Sequence, residues 1–125
     1  MVVSSNNASF EVLPDNEPLL TIPEIAERLG VVVTKVMDMV SDHKLIVVQR
    51  DGIRYIPEAF LSTKKESTNR FIPGVIALLS DGGYSDEEIL AFLFTEDESL
   101  PGRPIDALHG HLAREVMRRA QAMAF

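Results

Sequence analysis

The sequence predicts a mainly α fold class, with two short helices and one β-hairpin in its first half and a bundle of helices in its second. Three observations carry this. Two stretches of helical periodicity between Thr21 and Lys44 are separated by Gly30; Asp51-Gly52 sits between two β-rich runs; and Arg70 to Phe125 shows helical apolar spacing, broken only by turn residues. The polar run STKKESTN (62–69) reads as the connection between the halves.

The first helix opens with Thr21 and Glu24 at capping-box spacing, and Pro23 lies in the first turn, where its missing N–H does no harm. Ile22, Ile25, Ala26 and Leu29 form one apolar stripe, and Gly30 supplies the left-handed residue that stops the helix. Across Val33 to Lys44, Val36, Met39 and Val40 point inward, while Thr34, Lys35, Asp38, Ser41 and Asp42 face solvent. Then LIVVQR, Asp51-Gly52 and IRYIP predict a hairpin with a type I′ turn. Its register sets Val47 against Ile56 and Val48 against Tyr55, with Arg50 and Arg54 near the tip on opposite faces. Residues 1–18, rich in Ser, Asn, Pro and acids, read as a disordered tail; 19–62 read as a winged helix-turn-helix and 63–125 as the helical C-terminal domain.

In the second half Phe71, Val75, Leu78 and Leu79 make a stripe ended by Asp81-Gly82-Gly83. Ser85 and Glu88 form a second capping box, and Asp86 and Glu87 suit the positive end of that helix, so capping outweighs a catalytic or metal reading of the acids. The last helix buries Leu112, Ala113, Val116, Ala120 and Met123 and displays Arg114, Arg118 and Arg119. That basic face is either solvated, with Glu115 pairing to Arg118 or Arg119, or a site for an acidic or phosphate partner. The closing Ala-Met-Ala-Phe implies a docked terminus or a dimer seam.

Composition removes several classes of function. With no Cys there is no thiolate nucleophile and no cysteine-based metal site. His109 and His111, two apart on a helix, diverge by about 200° and cannot share a metal, so they read as cap or surface residues. No phosphate-binding glycine loop, serine elbow or acid–base–nucleophile set is present, so neither an enzyme nor a cofactor is expected. No run reaches the roughly 18 apolar residues of a membrane span, and the first residues lack the pattern of a signal peptide. A cytoplasmic, nucleoid-associated protein is expected. The net charge of −7 repels nucleic acid at long range, so a nucleic-acid role must rest on a local surface.

Two helices joined by a tight turn, beside a hairpin with a cationic tip, form the winged arrangement that places its second helix in the major groove of double-stranded DNA. Thr34, Lys35, Asp38 and Ser41 would then face base edges, while Lys35, Lys44, Arg50 and Arg54 hold phosphates. His43, at the end of the second helix, suits a phosphate or the helix dipole equally. TIPEIAERLGV and VMDMVSDHKLIVVQRDGIRYIP resemble the excisionase and MerR-type winged-helix unit, although Val32 stands where that unit usually has a Ser-like N-cap, and Met37 and Asp38 where it usually has Arg or another polar contact.

From about Leu20 to Phe125, LSDGGY (79–84), EEILAFLFTEDESL (87–100) and RPIDALHGHLAREVMRRAQAMAF (103–125) resemble actinobacterial winged-helix DNA-binding proteins associated with Ser/Thr protein kinase signalling. That resemblance implies transcriptional regulation and a kinase partner, with Ser4, Ser5 and Ser9 as candidate phosphorylation sites; the charge balance adds the expectation of a homodimer or paired sites. The segment around Leu100 to Leu108 is also similar to the toxin-binding part of MbcA/ParS/Xre-type antitoxins. The alternative function is therefore an antitoxin-like or adaptor protein that holds a protein partner through its C-terminal helices.

Overall fold

The computed structural model describes residues 7–9, 12–62 and 68–125. Strands β1 (Asn7–Ser9) and β2 (Leu19–Thr21) precede helices α1 (Ile22–Leu29) and α2 (Val33–Ser41); strands β3 (Val47–Arg50) and β4 (Ile53–Pro57) form the wing and end in a 3-10 turn at Glu58–Phe60. Four helices follow: α3 (Ile72–Asp81), α4 (Asp86–Phe94), α5 (Pro104–Ala107) and α6 (Ala113–Ala124).

Local chemistry sets the α1 boundaries as expected. Thr21 Oγ1 accepts from the Glu24 N–H at 3.3 Å, Glu24 Oε1 accepts from the Thr21 N–H at 2.8 Å, and Gly30 takes φ +70°. In α2 only Val36 is fully buried, and Met39 and Val40 are half-buried, because this helix lies at the rim of the core. The wing turn has Asp51 at φ +53° and Gly52 at φ +78°, and β3 pairs with β4 in the expected register, Val48 opposite Tyr55. Ser85 caps α4 with Glu88 at 3.1 and 2.8 Å, which accounts for Glu88, and Asp86 and Glu87 lie in the same first turn.

The N-terminal segment departs from the expectation of a disordered tail over residues 1–18. β1 pairs in parallel with β3, β2 pairs antiparallel with β4, and the sheet order is β1-β3-β4-β2. Leu13 is buried, and Glu17 forms an ion pair with Arg103. The reason is that both edges of the hairpin offer unpaired backbone groups, which short flanking strands satisfy without any periodicity of their own.

One apolar cluster runs through both halves, from Ile25, Val36 and Ile56 to Ile76, Leu93, Ile105 and Val116, and Phe60 meets Phe94 with ring centroids 6.0 Å apart. A buried polar latch closes the same seam. The Asn69 side-chain amide donates to the Leu108 carbonyl at 3.1 Å and faces His109 Nδ1 at 3.1 Å, while its oxygen accepts the Phe71 N–H at 2.9 Å. With Nδ1 facing that donor, His109 carries its proton on Nε2 and donates to the Ala59 carbonyl at 2.6 Å. His109 is thus a tie between the wing and the C-terminal helices rather than a cap or surface residue; His111 is exposed. The last helix is docked as far as Ala124, where Tyr84 Oη donates to the Met123 carbonyl at 3.0 Å and a Cβ on Gly82 would come within 3.0 Å of Ala124, whereas Phe125 is 97% exposed.

Carboxylates set the response to acid. Hydrogen bonds from Arg118 and Arg119 hold Glu115 down from 4.5 to about 2, and the Arg103 guanidinium lowers Asp106. Depressed carboxylates stabilise the fold above their unfolded pKa and lose that contribution as pH falls towards the folded value. Asp86, raised mainly by burial and only partly relieved by the charge of His43, acts in the opposite sense. Glu24, Asp97 and Asp106 are lowered along with Glu115 against this one raised group, so the melting temperature should fall as pH drops from about 4.5 to 2, and less steeply in Glu115→Gln. Calorimetry across that range checks this; a melting temperature that rises on acidification would contradict it.

Candidate nucleic-acid interface

The eight residues assigned to the interface from sequence, Thr34, Lys35, Asp38, Ser41, His43, Lys44, Arg50 and Arg54, are all exposed. Thr34, Asp38 and Ser41 follow i, i+4, i+7 along the outer side of α2, with Lys35 beside them at its first turn. The helix then stops in a left-handed turn: His43 has φ +59°, its N–H reaches the Val40 carbonyl at 3.1 Å, and the Lys44 N–H reaches Met39 at 2.9 Å. Lys44 is thereby fixed one turn below Ser41. His43 is exposed at that helix end.

Strand alternation separates the two wing arginines. Arg54, opposite Gln49, turns towards α2, where its Nη2 lies 3.6 Å from Met37 Sδ. Arg50, opposite Ile53, is on the other face and lines a depression with Leu13, Pro14, Asp15, Glu17 and Leu19. The structure therefore sets Arg54 against Met37 of α2, the helix that also carries Lys35, Thr34 and Ser41, and sets Arg50 beside acidic residues of the N-terminal segment.

The surface also holds three valines that were not assigned to the interface from sequence, although Val32 stood out there as an unusual N-cap. Val31, Val32 and Val33 are 36%, 69% and 43% exposed at the entry to α2, and Val32 makes no side-chain cap bond. The signal available was three consecutive β-branched residues with no polar N-cap.

The second proposed surface is largely occupied by its own chain. Arg118 and Arg119 both bond Glu115, and Arg119 also reaches Asp97 at 3.3 Å and Ser99 at 2.7 Å; Arg114 is exposed on the same helix. Ser4 and Ser5 lie outside the described residues, and Ser9 is described only as the last residue of β1. Among the described residues no His or acidic group is arranged to hold a metal ion, and no helix is long and apolar enough to cross a membrane.

The profile described as "DNA-binding protein Rv2175c, wHTH domain" matches residues 7–61, and that described as "Rv2175c C-terminal domain of unknown function" matches residues 70–124. The chain is 43% identical over 135 aligned positions to the DNA-binding protein Rv2175c of Mycobacterium tuberculosis, covering 98% of this chain and 92% of that one. The chain belongs to the Rv2175c family. The NMR structure of Rv2175c matches it with a TM-score of 0.84 at 40% identity, over 97% of this chain and 91% of that one. The Rv2175c match agrees with a winged helix-turn-helix followed by C-terminal helices, and with the resemblance to actinobacterial winged-helix proteins.

Proposed function

We propose that this chain is a DNA-binding regulator of transcription that reads a duplex with the outer side of α2 and holds phosphates with Lys35, Lys44 and Arg54. The observation that carries this reading is the packing of Arg54 on Met37, which sets a wing cation alongside the helix that would enter the groove. Thr34 and Ser41 present hydroxyls to base edges, and Asp38, which would repel phosphate, suits a cytosine amino group at the floor of the groove. Family membership and the description of the Mycobacterium tuberculosis relative as a DNA-binding protein support the same assignment. With a net charge of −7, one chain would hold one half-site weakly, which favours paired copies on paired half-sites.

The test is a salt series on duplex DNA. Lys35→Ala, Lys44→Ala and Arg54→Ala should each weaken all sequences alike and flatten the dependence of log K on log salt by about one unit, whereas Asp38→Asn should alter sequence preference. Unchanged slopes in all three cation variants would sink the assignment. The kinase connection enters through the same measurement. A phosphate on the N-terminal serines would add about −1.5 to −2 charges, so Ser→Asp at Ser4, Ser5 and Ser9 should cost affinity at low salt and little at high salt. A loss independent of salt would mean that the tail acts by changing the fold instead.

A further inference from the structure

The entry to α2 is both uncapped and exposed: α3 and α6 also begin without a side-chain cap, but their apolar entry residues, Phe71 and Leu112, are half-buried. Thr21 and Ser85 cap α1 and α4 through reciprocal side-chain bonds, but the corresponding residue of α2 is Val32, whose side chain can cap nothing and which is the most exposed of three consecutive valines. A Ser, Thr or Asp there would stabilise the helix, and burial of the valine would recover its apolar area; the free chain has neither. An apolar residue left uncapped and exposed is the kind of local violation expected at a functional surface.

We infer that Val32 and Val33 read thymine methyl groups in the major groove. The inference rests on the DNA-binding reading above and gives it a base preference. First-turn residues of a groove-entering helix are those that meet base edges. The C5-methyl of thymine is the one apolar group that base pairs present on that side. Valine is stiff about its first side-chain torsion, so it loses little entropy on contact. Lys35 follows Val33 by two residues in the first turn of α2 and Arg54 lies on Met37 of the same helix, so the surface carries the charge that phosphates need, which fits DNA better than an apolar protein surface.

Uracil differs from thymine only by that methyl, so a duplex selected by the full-length chain from a randomised pool, then remade with uracil for thymine, isolates the contact. The wild-type chain should bind the uracil duplex more weakly by about fourfold for each methyl it buries, with the same salt slope. Val32→Ser and Val33→Ser should bind the thymine duplex less well and lose the discrimination, and Val32→Ser should melt slightly higher because it gains a cap. The inference is overturned if the wild type binds both duplexes equally, or if the valine variants still discriminate while their oligomeric state changes, which would make the turn a protein contact. If the wild type selects no duplex at all, the DNA-binding reading falls and this inference with it.

Discussion

Phe60→Ala should lower the free energy of unfolding by about 3–5 kcal/mol, because it removes a large buried ring and leaves a cavity that its neighbours fill only in part. Phe60 is completely buried at the end of the wing, and its ring meets Phe94 of α4, so the loss falls on the seam between the two halves. Against a total stability of roughly 5–15 kcal/mol this is a large fraction. The continuous core makes the two halves one cooperative unit, and the wild type should therefore unfold in a single transition. The chain has two Tyr and no Trp, with Tyr55 in the wing and Tyr84 between α3 and α4. Fluorescence of Tyr55→Phe and Tyr84→Phe therefore reports each half separately. Coincident transitions shifted together by Phe60→Ala are expected; two separate wild-type transitions would show that the seam does not couple the halves.

Asn69→Ala should cost about 2–4 kcal/mol, since one truncation leaves the Leu108 carbonyl, His109 Nδ1 and the Phe71 N–H without their partner. Asn69→Asp separates these contributions: the acceptor for Phe71 survives, but both donated bonds are lost and a carboxylate faces a carbonyl. Urea denaturation of the two variants checks this. A loss below about 1 kcal/mol in Asn69→Ala would mean that water replaces the amide without penalty.

What was legible in the sequence is what neighbouring residues decide among themselves. The Thr21–Glu24 and Ser85–Glu88 boxes, Gly30 and the Asp51-Gly52 turn each act within about four residues, and each stands where the pattern placed it. β1 and β2, three residues each, escape because their reason to be strands is the hairpin edge, not their own alternation. His109 escapes for a similar reason: its partners, Asn69 and Ala59, lie 40 and 50 positions away, and a lone histidine carries no sign of them. At the candidate interface the polar and basic residues were legible by type and spacing. That Arg54 would lie on Met37 and Arg50 beside Asp15 depended on which face of the wing met α2.

The ion pair between Glu17 and Arg103 spans 86 positions of the chain. On the ribosome Glu17 emerges early, with the capping box and the hairpin soon after it, yet its partner has not been made when the wing is complete. The local parts can close while synthesis continues, because their contacts are short in sequence. β1 and β2 can pair with the wing as soon as it forms, but the stretch that carries Glu17 between them must wait for Arg103 at the start of α5. During that interval the acidic Glu17 is held by no cation from the C-terminal half.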